Sequence, residues 1–447
     1  MPGMTTQGAT SRLPTLFILV AGSLSLVLLA ALGARWRLER RAHQAADEVV
    51  AEVHERLAAA ERVVRSSHVD EPLPGSLAEA LGLLMPELIA FHDSEPQNPE
   101  EVDTACAEVR DGVRPVSELR RECHEAVDRG RPLMRRTLEA SRREVGVLPE
   151  GLRIFDDPQH PYQRTLLLPL MRMLKLAALE VRLQTARGEA DAAVETCLDG
   201  LALARDLSYG NAIIGSMVSA TSHGFLFFSC AEAIDRASPG GQQRAEVALR
   251  RIRPSVAPLS TSLRDERAYM PLCLAGALFA RSQLDALPPG ARAAAIEMSA
   301  KNLFAMDMPP ILAREAMLHA WPLMHERIGQ AIAVVDLPPD QRAPRLAEQT
   351  RAIMSSWNPL VSETIADYER FAVRVDKQRA QLDLLLALAV VKQRRAGSGT
   401  WPSGLPSLYP GQEVLLPTVL ELQPGEGDSL LLLPEGQTPE LSVLATP

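Results

Sequence analysis

The chain has 447 residues, of which 46% are hydrophobic, 23% charged and 4% aromatic, and it carries a net charge of −9. That length exceeds one ordinary domain, and the balance of apolar and charged residues supplies a real core and excludes global disorder. An aromatic-poor, Ala- and Leu-rich chain points to packed helices rather than a sheet sandwich, and the acidic balance argues against a nucleic-acid partner.

Residues 1–12 form a short tail. Residues 13–34 (LPTLFILVAGSLSLVLLAALGA) carry no charge. As a helix this run is roughly 33 Å long, enough to cross a hydrocarbon core of about 30 Å. It predicts a single-pass anchor in the inner membrane, with membrane lipid as its partner. The competing reading is a cleaved signal peptide ending near Ala31-Leu32-Gly33, against which stand the length of the run and the arginines that follow it. Neither a lipobox cysteine nor a prepilin Gly–Glu cleavage pattern is present. Arg35, Arg37, Arg40 and Arg41 on one flank favour a cytoplasmic body, but Arg12 and the terminal amine compete on the other.

Residues 35–68 predict a juxtamembrane helix. Ala46, Val50, Val53, Leu57, Ala60 and Val64 recur at heptad spacing along it. Val50, Val53, Leu57 and Val64 are therefore a candidate dimer seam, and a homodimer is one outcome. The alternative is an amphipathic helix packed on its own body. Residues 69–150 form a connector with a helix over 76–91 and two short helices over 98–112 and 115–130. Cys106 and Cys123 flank the break between those two, so they are either two unpaired small hydrophobes or, if a hairpin brings them into range, a disulfide that implies an oxidising compartment. The second places the body outside the cytoplasm, against the arginine count, and the balance leans slightly outward. The five cysteines are otherwise too few and too scattered for a disulfide framework or a zinc cluster.

Residues 151–395 form the helical body, beginning after the turn-like Phe155-Asp156-Asp157-Pro158. Helices over 162–187 and 189–207 are broken by Gly188. With Ala193 and Gly200 at the contact and Leu201 in the core, this unit resembles a tetratricopeptide-type hairpin, which implies stacked helical hairpins. The uncharged stretch 207–231 is too polar for a second span. Its small residues Ala212, Ser216, Ala220 and Gly224 predict a buried helix approached closely by a neighbour. Further helices follow over 258–286, 289–306, 309–335, 339–355 and 360–395, punctuated by prolines.

Residues 396–447 change character. Strands near 413–421, 428–433 and 440–445, with a turn at Pro424-Gly425-Glu426-Gly427-Asp428, predict a small antiparallel β element. The segment Gly399-Thr400-Trp401-Pro402-Ser403-Gly404-Leu405-Pro406-Ser407-Leu408 resembles the Gly-x-x-Pro-x-x-Leu-x-x-Leu passage of pseudopilin-like tails and of some anchored bacterial proteins.

No phosphate-binding loop, Gly-x-Ser-x-Gly or His-Glu-x-x-His occurs, and the nine histidines are dispersed. His319 and His325 fall on different faces of one helix. Asp156, Asp157 and His160 share a Pro-bounded loop and read as capping residues before an acid–base set. Arg264, Asp265, Glu266 and Arg267 read as a solvated face, with partner docking as the alternative, and Phe225, Phe227 and Phe228 as core. No residue is assigned to catalysis, a cofactor or a metal. The expectation is a mainly α, membrane-anchored scaffold or interaction protein of the bacterial envelope with a protein partner. The alternatives are an envelope enzyme or small-ligand binder with a pocket in the helical body, and a pseudopilin-like assembly component.

Overall fold

The computed structural model describes residues 13–60, 67–94, 106–144, 167–305, 308–356, 358, 360–361, 367–435 and 441–447, with side chains placed from Gly22 onward. Val64, the Phe155-Asp156-Asp157-Pro158 turn, His160 and residues 98–105 of an expected helix lie outside the described residues.

The first helix, α1 (Leu13–Ala60), runs unbroken through the boundary expected between anchor and juxtamembrane helix. Its two halves have opposite surroundings. Ala42, Ala45, Ala46, Val49 and Val53 are buried in a cluster with Tyr269, Leu272, Phe279 and Trp321. Alanines every three or four residues let the α1 backbone approach closely, and each fully buried valine contributes about 1.5–3 kcal/mol. By contrast Leu24, Leu26, Val27, Leu28, Leu29 and Leu32 stand 56–70% exposed. Of the two readings of the seam, the described part follows the one in which the helix packs on its own body. Val53 is fully buried, and Val50 and Leu57 pack on the same cluster, so these three residues are taken up by intramolecular packing.

Ser76 starts α2 (Leu77–Asp93) with a reciprocal capping box to Glu79. The helix expected over 115–130 instead begins six residues later as α3 (Arg121–Ala140), because Pro115 leads into only a 3-10 turn, Val116–Glu118. Next come α4 (Leu167–Ala186) and α5 (Ala190–Asp206), antiparallel neighbours joined at Gly188. Gly188 takes φ +81°, and the Glu189 amide donates back to the Gln184 carbonyl at 2.9 Å, closing α4 as a left-handed cap. At Gly200 on α5, an added Cβ would lie 3.1 Å from a Leu226 methyl, so the missing side chain sets the approach of the next helix.

That helix, α6 (Ala212–Arg236), is the one described helix with a membrane span's length and hydropathy, and 61% of the relevant window is buried inside the protein; over its described residues α1 does not reach that hydropathy, so the span expected over 13–34 is not supported by this measure. Its small-residue stripe is only partly used as expected. Ser216 meets Ser262 hydroxyl to hydroxyl at 2.5 Å, but Gly224 faces open space.

A helix absent from the sequence reading, α7 (Pro239–Ile252), follows. Ser238 caps it, Pro239 fixes its first turn, and Asp191 of α5 accepts from the Ser238 amide and hydroxyl. The helix expected over 258–286 is two, α8 (Leu259–Ala275) and α9 (Arg281–Ala286). The break sits at Gly276, where an added Cβ would fall 2.5 Å from the Ala295 carbonyl of α10 (Pro289–Ala305). After α11 (Pro310–Ile332) and α12 (Pro339–Met354), the 31-residue α13 (Tyr368–Ser398) runs through the body with Leu382 to Val391 all buried, and stops at Gly399, φ +76°.

The tail is an antiparallel sheet in the order β1 (Leu420–Pro424), β2 (Leu430–Pro434), β3 (Val443–Ala445), with Leu422 opposite Leu432 and Leu432 opposite Val443. Leu432, Val443 and Ala445 bury against the same core as α13. The first strand starts later than 413 because residues 415–418 wrap a buried carboxylate. Asp383 of α13 is fully buried and takes Nε and Nη2 of Arg253 at 2.9 and 3.2 Å, the Thr418 amide at 2.9 Å and the Tyr409 hydroxyl. Arg253 in turn donates to the Leu415 and Leu416 carbonyls at 3.1 and 2.9 Å. Burial beside that carboxylate pushes the Tyr409 hydroxyl well above its ordinary pKa, so it stays a donor.

This cluster clamps tail to body. Replacing Asp383→Ala leaves the Arg253 charge buried without its partner, and urea unfolding should show a loss of about 3–5 kcal/mol. A loss below about 1 kcal/mol would contradict the clamp.

Candidate functional site

The clearest concentration of polar groups beside open space lies where the connector crosses the body. Residues 67–77 run along the end of α3. The Ser67 hydroxyl donates to the Arg142 carbonyl at 2.9 Å, and the Leu73 and Leu77 amides donate to Arg142 and Glu144 at 3.1 and 2.7 Å. This strap carries His68, 2% exposed, onto Asp199 of α5, with Nε2 to Oδ1 at 2.9 Å. Arg142 grips the same carboxylate with Nε at 2.9 and 3.0 Å and Nη2 at 2.7 Å. The Ser141 hydroxyl adds a bond to the Asp199 carbonyl at 3.0 Å. The hydrogen bond to Asp199 raises the Arg142 pKa above its ordinary value, so the ion pair persists at any physiological pH.

Beside this constellation is a cavity of about 360 Å³ lined by His68, Asp70, Glu195, Gln243, Arg244 and Val247, among others. Its charges are spoken for. Arg244 pairs with Glu195 at 2.6 Å and Asp191 at 3.6 Å, and Arg251 reaches Asp70 at 2.5 Å. The Ser238 hydroxyl and amide, helped by Arg244, hold Asp191 below the usual carboxylate range. With Nε2–H donated to Asp199, His68 keeps Nδ1 as a buried lone pair with no hydrogen-bond partner. The Ser67 hydroxyl is already committed to a carbonyl, so the arrangement holds an oriented imidazole without a nucleophile beside it. Among the described residues no group of three or more His, Cys, Asp or Glu is arranged to hold a metal ion.

The candidate disulfide residues meet. Cys106 and Cys123 are bonded, their Cα atoms 5.8 Å apart. A second bond, Cys197 to Cys230 with Cα atoms 5.5 Å apart, joins α5 to α6, and Cys273 is free and buried. The expectation that the five cysteines are too few and too scattered for a disulfide framework is therefore corrected, since four of them are bonded. Antiparallel packing of α5 on α6 closes a separation of 33 residues that spacing alone does not reveal.

Other sequence candidates disperse. His325 is buried 3.4 Å from Glu52 of α1, whereas His319 lies 3.4 Å from Asn358, so the two share no site. The 264–267 run is not a solvated face throughout. Asp265 receives Arg56 at 2.6 Å and Arg267 reaches Glu52 at 3.0 Å, so two of its charges dock the chain's own α1. Phe227 is core, Phe228 is 39% exposed, and Phe225 lies under the guanidinium of Arg110 at 4.3 Å.

A second buried polar cluster lies between α6 and α13. His223 is 1% exposed, its Nδ1 2.9 Å from the Ser219 carbonyl and 2.9 Å from Gln378 Nε2, while Nε2 has no hydrogen-bond partner. Burial pushes the imidazole down to about 4. Between pH 6.5 and 4 the unfolded chain takes up a proton that the native imidazole refuses, so stability falls as pH drops through that window and is unaffected above it. Chemical unfolding at stepped pH should show a loss on the order of 3 kcal/mol from this group. His223→Gln should remove that share of the slope, and an unchanged slope in the variant would contradict a neutral native imidazole. Compared with known proteins, the chain matches no family model, no curated protein and no solved structure.

Proposed function

We propose that this chain is a single-pass, membrane-tethered helical scaffold whose body faces an oxidising compartment and presents its helical hairpins to a protein partner. The observation that carries the reading is the continuity of α1. One helix has an apolar, solvent-facing half over Gly22–Ala34 and a half over Ala42–Leu57 built into the body. Exposed leucines at 56–70% along consecutive turns are costly in water and cheap in lipid, and Trp36 with Arg35, Arg37, Arg40 and Arg41 follows them as an interfacial belt does. Two disulfides, leaving one buried thiol, favour the outward orientation over the one suggested by the arginine count. The α4–α5 hairpin, with its tetratricopeptide-like glycine and alanine contacts, supports a binding scaffold.

A second reading, a small-ligand binder, is favoured by the cavity of about 360 Å³ beside the His68–Asp199 pair. Pairing of the lining charges within the protein argues for the scaffold first. The sheet packed on the core beside α13 keeps the pseudopilin-like assembly reading as a third, resting on the tail alone.

Two labelling measurements on the full-length chain test the first reading. Acid-quenched cells treated with a mass-tag maleimide should give one tag per chain before reduction and five after. A Leu83→Cys variant, at a position 82% exposed, should react with an impermeant maleimide in spheroplasts. Five tags without reductant, or Leu83→Cys labelling only after lysis, would place the body in the cytoplasm.

A further inference from the structure

We propose that the tip of α11, carrying Ile311 and Leu312, is a second lipid contact seated at the headgroup–acyl boundary beside α1. The inference rests on the anchor reading above and adds a surface of the body to it.

Ile311 and Leu312 are 67% and 56% exposed, and Pro309 and Pro310 before them are exposed as well. Large aliphatic side chains at a helix start are not explained by the body's core, which takes Ala313, Met317 and Leu318 of the same helix but leaves its first turn out. The position of the tip relative to α1 can be read from the polar contacts between the two helices. Arg35 Nη2 lies 3.4 Å from Glu315 Oε1, and further along Glu52 Oε2 lies 3.4 Å from His325 Nε2. Arg35 meets Glu315, whereas Arg41, Glu48 and Glu52 all meet His325 or Glu326 further along, so the two helices run in the same general direction and α11 points its N-terminus toward the apolar end of α1. Ile311 is one turn before Glu315 on the same face, about 6 Å further in that direction.

That places Ile311 and Leu312 level with the last apolar turn of α1, where Leu32 is 56% exposed, and just beyond Trp36, whose ring lies 5.5 Å from the Arg40 guanidinium. The aliphatic tip thus lies on the same side of the body as the exposed Leu24 to Leu32 that the proposed anchor would offer to lipid. It sits below the level of Arg35, the depth at which amphipathic helices bury their apolar side chains, about 5–10 Å into the interface. The occupant this geometry fits is the upper acyl region of a bilayer. A body held by a helix and a tip has a fixed tilt rather than free rotation about the anchor.

The test reads depth directly. Full-length chains carrying Leu312→Cys, Leu28→Cys or Leu83→Cys, each labelled with an environment-sensitive fluorophore, are placed in phosphatidylethanolamine–phosphatidylglycerol vesicles containing doxyl-phosphatidylcholine. The label at 312 should be quenched more by shallow than by deep doxyl groups. The label at 28 should be quenched by deep ones and the label at 83 by neither. Quenching at 28 with none at 312 beyond that at 83 overturns the tip while the anchor stands. Absence of quenching at both 28 and 312 overturns the anchor reading, and the tip with it.

Discussion

Burial of one face of α1 against α8, α9 and α11 is the interaction on which the rest depends. Ala42, Ala45, Ala46, Val49 and Val53 provide a surface of small side chains that lets Tyr269, Leu272, Phe279 and Trp321 close over them. Magnitudes decide what holds the contact. The exposed pairs Arg35–Glu315 and Arg41–Glu326 are worth about 0–1 kcal/mol each, less than a single fully buried valine. The polar latches set register instead. Gln283 donates to the His43 carbonyl at 3.0 Å and to Asp47 at 2.7 Å, and His54 Nε2 sits 2.7 Å from the Ala286 carbonyl. Because α1 is continuous, fixing its second half fixes the direction in which its apolar half leaves the body.

Inside the body, charge is buried in closed sets rather than scattered. Asp383 with Arg253, Asp199 with Arg142 and His68, and Arg342 with Glu369 at 2.9 Å and Asp376 at 2.7 Å each join segments far apart in the chain. Such sets add little net stability over an apolar core, but breaking one is expensive, so they specify a single arrangement of helices and tail. The His68 set has the same structural role, pinning the connector to α3 and α5. What distinguishes it is the cavity at its edge and an imidazole nitrogen left over.

Most helices of the body were legible because their signals are local. Gly188 needed a left-handed cap, Gly399 ended α13, and prolines marked the starts of α10, α11 and α12. The Ser238-Pro239 start of α7 carried an equally local signal that periodicity reading passed over. The break at Gly276 was not local, since it answers to the Ala295 backbone on another helix. Site residues were harder for the same reason. Cys106 and Cys123 are 17 residues apart across a visible turn, whereas Asp199 meets His68 across 131 positions and Asp383 meets Arg253 across 130. A heptad spacing likewise gives an apolar stripe without saying which surface it meets, and the Val50–Leu57 stripe meets its own body.

The tether proposed above requires α1 to be one rigid helix from its apolar half to its packed half, and an inter-spin distance measures that continuity directly. Spin labels at Leu29→Cys and Glu55→Cys, both exposed on α1, are separated by about 39 Å if the helix is continuous. In lipid nanodiscs the account predicts a narrow distribution centred near that length. A broad distribution, or one centred well below it, would mean a hinge between the apolar and packed halves and would contradict the account.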